Sequence, residues 1–175
     1  GKPFRVMGKE PADAPALPQT NLEVLPTRTI YTFEGAGVRL TLTFMTPALP
    51  DDIEILPRPV TYLTWTFQSL DGKRREVGLA FEASGEIAAN LPTQEVVSMT
   101  ESLGDLTEAI VGTTEQPVLE KKGDDLRIDW GHFVVAFRQS AFSTIALSAL
   151  RDGKRQIFQD DFRSRIELKN PVPAN

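Results

Sequence analysis

Val38-Arg39-Leu40-Thr41-Leu42-Thr43-Phe44 alternates apolar and polar residues without a break, and nothing else in the chain restricts its fold as much. A period of two puts Val38, Leu40, Leu42 and Phe44 on one face of a strand and the polar residues on the other, whereas a helix would scatter both sets. Upstream, Thr27-Arg28-Thr29-Ile30-Tyr31-Thr32-Phe33 is rich in β-branched and aromatic residues, and Gly35-Ala36-Gly37 supplies a flexible connection. The two segments are expected to pair antiparallel as a hairpin.

The pattern recurs. Leu63, Trp65 and Phe67 alternate in Thr61-Tyr62-Leu63-Thr64-Trp65-Thr66-Phe67; Asp71-Gly72 then reads as a hairpin turn, with Val77, Leu79, Phe81 and Ala83 on the returning strand. Gly123-Asp124-Asp125 precedes an alternation of Leu126, Ile128 and Trp130, and Gly131 precedes another of Phe133, Val135 and Phe137, which predicts a further hairpin. Glu95 to Met99 and Leu106 to Val111 read as strands. Ser143 to Leu150 is ambiguous by periodicity, and the following Asp152-Gly153 favours strand. Roughly ten short strands without a long amphipathic helix predict an all-β fold, an antiparallel two-sheet β-sandwich rather than a closed barrel.

Pro47, Pro50, Pro57 and Pro59 interrupt two good strands, and proline removes a backbone donor and fixes φ, so a rigid loop across one end of a sheet is expected there. The Pro11-to-Pro18 stretch and Asn170-Pro171-Val172-Pro173 have linker composition. The expected organisation is a lead-in over residues 1–20, a sandwich over 21–168 and a linker over 169–175.

Several function classes are excluded or weakened by composition. With 175 residues and a net charge of −5, the chain lacks the clustered cations of a nucleic-acid surface. Its one basic run, Lys73-Arg74-Arg75, reads as a solvated loop after the Asp-Gly turn. There is no cysteine, which removes disulfides, thiolate metal sites and cysteine nucleophiles. No apolar stretch approaches the ~20 residues of a membrane-spanning helix.

Catalytic chemistry has little to work with. His132 is the sole histidine, so any Ser-His-Asp triad would need it, and its place at a strand start suits a structural role. No Gly-x-Ser-x-Gly elbow occurs. Asp51, Asp52 and Glu54 are the densest group of hard oxygen ligands and weak calcium candidates; Asp124, Asp125 and Asp129 are comparable, and Asp160-Asp161 less so. No cofactor is predicted. Tyr31, Tyr62, Trp65 and Trp130 could stack on sugar rings, although Trp65 runs in phase with Leu63 and Phe67 and reads as core. An Arg58 pair with Asp51 or Asp52 could pin the proline-rich loop to a sheet end or a neighbouring domain. Arg28 and Arg39 carry no more specific assignment.

Four runs carry a family resemblance: Leu25-Pro26-Thr27-Arg28-Thr29-Ile30-Tyr31-Thr32-Phe33-Glu34, Gly37 to Phe44, Thr46-Pro47-Ala48-Leu49-Pro50-Asp51-Asp52 and Arg58-Pro59-Val60-Thr61-Tyr62-Leu63-Thr64-Trp65. Together they resemble the N-terminal β-sandwich module, a domain of unknown function, of the glutaminase A family of fungi and Bacteroides-like bacteria. Gly1-Lys2-Pro3-Phe4-Arg5-Val6-Met7-Gly8 is similar to the end of a segment that precedes the module. The resemblance implies an exported, extracytoplasmic polypeptide with a C-terminal helical domain that holds the active site and serves as this module's partner. It implies no catalytic residue here. Two rival readings are an accessory or carbohydrate-binding sandwich of a glycoside-hydrolase-like protein, and a purely structural domain with an exposed apolar patch.

Overall fold

A computed structural model describes residues 2–9, 12–81, 83–91, 93–123, 128–138, 143–147 and 164–172, the last two ranges by backbone alone. The described residues are all-β, with antiparallel sheets of four and three strands, consistent with a β-sandwich. Its strands are β1 (Gln19–Leu25), β2 (Arg28–Gly35), β3 (Val38–Met45), β4 (Tyr62–Ser69), β5 (Arg75–Phe81), β6 (Val96–Leu103), β7 (Leu106–Thr113), β8 (His132–Arg138), β9 (Ser143–Leu147) and β10 (Ser164–Val172). The first four form one sheet in the order β1-β2-β3-β4, and β6-β7-β8 form another; β5, β10 and β9 form a third in that order. The chain divides into two compact units that meet in sequence at Val77 and Gly78.

In the first unit the alternation of residues 38–44 becomes β3, paired antiparallel with β2 on one side and β4 on the other. The register sets Phe33 beside Leu40 and Phe67, and Tyr31 beside Leu42 and Trp65. Phe33, Leu40 and Leu42 form the buried core, and Val6, Leu17, Tyr31, Phe44, Trp65 and Phe67 pack against it. Each of the three buried side chains contributes roughly 1.5–3 kcal/mol by leaving water. Trp65 is thus a core residue, as its phase predicts.

The expected β2–β3 hairpin turns through Ala36 (φ 50) and Gly37 (φ 76) between the paired Gly35 and Val38. Two successive positive φ values in a two-residue loop match the twist of the flanking strands. The N-terminal segment is tied to the same unit: Arg5 N donates to the Pro15 carbonyl at 2.9 Å, and Leu17 N to that of Arg5 at 2.8 Å. The expected boundary at residues 20/21 therefore falls inside β1, and the expected linker from 169 begins inside β10.

The expected hairpin through Asp71-Gly72 does not form. β4 and β5 belong to different sheets, and the turn hands the chain from one to the other. Nor is there a strand at Ile128–Trp130: β8 begins at His132, and residues 128–131 are irregular. Asp124, Asp125, Leu126, Asp152-Gly153 and Asp160-Asp161 lie outside the described residues.

In the second unit β6 and β7 join through Gly104-Asp105, with Gly104 at φ 62. The buried face of this sheet centres on Thr107, Ala109, Val111 and Thr113 of β7, flanked by half-buried Phe133, Val135 and Phe137 of β8. A short 3₁₀ turn, Gly85–Ala88, is capped by the Ser84 hydroxyl accepting from Glu86 N at 3.2 Å. No helix among the described residues is long and apolar enough to cross a membrane.

Candidate functional site

The proline-rich connection 46–61 closes the hairpin of β3 and β4, whose register ends at Met45 and Tyr62. Its mouth is fixed by a Thr46–Thr61 hydroxyl pair at 2.8 Å and by Thr46 N donating to the Thr27 carbonyl at 3.0 Å. Inside the loop, Asp52 Oδ1 accepts from Glu54 N and Ile55 N, each at 3.1 Å, and Leu56 N donates to the Asp52 carbonyl at 2.9 Å. An aspartate that binds the backbone ahead of it replaces a missing turn of secondary structure. Arg58 Nε donates to the Glu54 carbonyl at 2.8 Å.

These bonds alter the expected site chemistry. Arg58 pairs with backbone rather than with Asp51 or Asp52, because the turn folds its side chain back over the loop. Asp52 is occupied in holding that turn, while Asp51 and Glu54 are exposed. Among the described residues no group of three His, Asp or Glu side chains is close enough to hold a metal ion, so Asp51, Asp52 and Glu54 are not assembled as a calcium site.

Besides these polar groups, the loop holds apolar ones in solvent. Leu49, Leu56 and Val60 are exposed, Ile53 is 84% exposed, and Tyr62 is exposed where β4 begins. Sequence reasoning singled out Tyr62 but missed the other four; the signal was the recurrence of Leu, Ile and Val in a segment with no strand or helix period to bury them. Beside the loop lies a shallow depression of about 300 Å³, lined in part by Leu25, Pro26, Arg28, Phe44, Thr46 and Ala48.

At the other end of β4, Ser69, Asp71 and Arg75 form a latch. Ser69 Oγ donates to the Lys73 carbonyl at 2.9 Å, Lys73 N donates to Asp71 Oδ1 at 3.2 Å, and Arg75 grips the Asp71 carboxylate through both terminal nitrogens, Nη2 to Oδ2 at 2.6 Å. The Arg75 hydrogen bonds hold the Asp71 carboxyl well below the usual carboxylate range, and the same bonds raise the Arg75 guanidinium. Arg75 is therefore not the solvated cation expected of the Lys73-Arg74-Arg75 run. Its guanidinium lies against Gly37, where a side-chain carbon would collide with it, and Leu70 N donates to the Gly37 carbonyl at 2.9 Å. The latch thus fastens the β2–β3 turn to the end of β4. Arg39 is also paired, with Glu34 across the β2–β3 ladder at 2.6 Å.

His132 opens β8, exposed to solvent. Its ring lies over Gly112, where an added side-chain carbon would stand 2.5 Å from Cδ2. The preceding Gly131 (φ 109) is clamped by Gln116, whose Oε1 accepts from Gly131 N at 2.6 Å while Nε2 donates to the Thr113 carbonyl at 2.9 Å. No hydrogen bond joins His132 to a serine or a carboxylate among the described residues, so no triad is assembled there. Asp129 is buried and paired with Lys121 Nζ at 2.5 Å. Of the aromatic candidates, Tyr31 stacks on Phe33 and meets Phe44 edge-on, and Trp65 packs on the core; Tyr62 stays exposed and Trp130 is half-buried.

Over residues 27–171 the sequence matches a family described as a domain of unknown function, DUF5127. No curated protein matches it.

Proposed function

We propose that this chain, which belongs to the DUF5127 family, is a noncatalytic β module of an exported glutaminase. In this reading it seats against a C-terminal helical domain of the same polypeptide, which hydrolyses L-glutamine to L-glutamate and ammonia in an extracytoplasmic compartment. The observation that carries the reading is the loop 46–61. Prolines, the Asp52 turn and the Thr46–Thr61 bridge fix its shape, and Leu49, Ile53, Leu56 and Val60 stand in solvent. A loop already ordered loses little conformational entropy when it docks, which favours contact over solvent exposure. Asp51, Asp52 and Arg58 then belong to the polar rim and internal bracing of that contact.

Amide hydrolysis needs an activated nucleophile and donors for the developing oxyanion. Ser69 is held between Lys73, Asp71 and Arg75, and His132 stands apart from any hydroxyl or carboxylate partner among the described residues. The glutaminase assignment itself rests on the resemblance of the runs at 25–34, 37–44, 46–52 and 58–65. Ammonia release from glutamine by this chain and by a longer polypeptide that includes the helical domain tests it. Activity only in the longer polypeptide is expected; turnover by this chain alone would overturn the noncatalytic assignment, and none in either would overturn the glutaminase one.

A further inference from the structure

The sheet β6-β7-β8 has an unusual outer face. Its register places Val97, Gly112 and His132 in one row, Met99, Ile110 and Val134 in the next, and Glu101, Glu108 and Ala136 in a third. Directly paired residues share a face, and rows two residues apart share it as well. The opposite face is the buried one, with Thr107, Ala109, Val111 and Thr113. A sheet face in contact with water is ordinarily polar, yet here Met99 and Val134 are 41% and 44% exposed, and Val97 is exposed beside them.

The row of glutamates is the second anomaly. Glu101 and Glu108 stand directly opposite each other, an arrangement that destabilises a ladder, and among the described residues no ion pair relieves either of them. A cation supplied from outside would turn this repulsion into attraction.

We propose that this face docks an amphipathic α-helix of a partner protein, its apolar stripe on Met99, Ile110 and Val134 and a Lys or Arg between Glu101 and Glu108. The dimensions agree. Three strands about 4.8 Å apart span about 10 Å, the diameter of one helix, and rows two residues apart lie about 7 Å from each other, within reach of a long Arg side chain placed one turn (about 5.4 Å) along. The inference does not rest on the glutaminase assignment and concerns residues that lie outside the loop 46–61.

The test uses the full chain, isotopically labelled, titrated with a helical peptide of about 18 residues that carries a Leu stripe with Arg one turn along. A peptide of the same composition in scrambled order is the control. Amide shifts should concentrate at Met99, Glu101, Glu108, Ile110 and Val134. The double variant Glu101→Gln, Glu108→Gln should bind the peptide about tenfold more weakly while melting about 1–2 °C higher than the parent. Those opposite signs separate a binding role from a structural one. Val134→Thr, which keeps the β-branched shape, should also weaken binding. The proposal is overturned if the scrambled peptide binds equally well, which would show only general attraction to a chain of net charge −5. It is also overturned if the double variant binds unchanged or melts lower, or if the same residues shift on concentrating the chain without peptide, which would make a second copy the occupant.

Discussion

The two sheets that can be followed side chain by side chain invest their apolar residues differently. In β1-β2-β3-β4 the large ones, Phe33, Leu40 and Leu42, are buried, with Trp65, Phe67 and Phe44 packed around them. In β6-β7-β8 the fully buried row is small or hydroxylated, Thr107, Ala109, Val111 and Thr113, flanked on the same face by half-buried Val96, Phe133, Val135 and Phe137, while Val97, Met99 and Val134 face solvent. The first sheet is built to stabilise its own unit. The second buries its aromatic residues only in part and keeps apolar surface exposed on its other face.

The largest expected effect sharpens that difference. Leu40→Ala should cost about 2–5 kcal/mol and Val111→Ala about 1–2 kcal/mol, since fewer methylenes leave a smaller cavity. Urea titrations followed through the unfolding midpoint, at unchanged slope, report both. Equal losses would mean that the two interiors are equivalent and the distinction is wrong.

Next in size is the latch around Gly37. Gly37→Ala places a side chain at φ 76 against the Arg75 guanidinium, a combination expected to cost about 1–3 kcal/mol. The neighbouring Ala36→Asn should instead stabilise by about 0.5–1 kcal/mol, because Asn-Gly suits two positive φ values better than Ala-Gly. Opposite signs at adjacent positions in thermal melts would confirm the turn geometry; the same sign at both would contradict it.

The smallest expected effect is a pH dependence. The carboxyl of Asp71 is lowered in the folded chain, so the unfolded state takes up its proton first. The stabilisation is fully present above the unfolded pKa of about 3.9 and fades as pH falls through the lower folded value. Asp71→Asn should therefore be less stable than the parent at pH 7, and the gap should close below about pH 4. A gap that is constant down to about pH 2 would show that the Arg75 pair does not set it.

The strands with clean alternation were legible: 38–44 lies on β3 and 62–67 on β4, and the β2–β3 hairpin pairs as its turn residues suggest. Trp65 was placed correctly by phase alone. What misled was local turn chemistry. Asp71-Gly72 has a hairpin signature, but Asp71 binds Arg75, and no dipeptide rule contains a partner four residues ahead. Ile128 and Trp130 alternate like a strand, yet Gly131 at φ 109, held by Gln116, starts β8 only after them. In the proline-rich loop the charged residues drew attention as ligands, although Asp52 and Arg58 serve the backbone. Side-chain bonds to backbone leave little mark on composition or period, whereas the exposed Leu49, Ile53, Leu56 and Val60, though missed, do leave one: apolar residues in a segment without a period to bury them.

The central claim is that the chain acts through surfaces, first of all the loop 46–61. Hydroxyl-radical footprinting of Leu49, Ile53, Leu56 and Val60, in the isolated chain and in a longer polypeptide that includes the proposed C-terminal helical domain, tests it most directly. A severalfold fall in side-chain oxidation at these positions in the longer polypeptide is predicted, with little change at buried Leu40. Equal oxidation of the loop in both would contradict the claim.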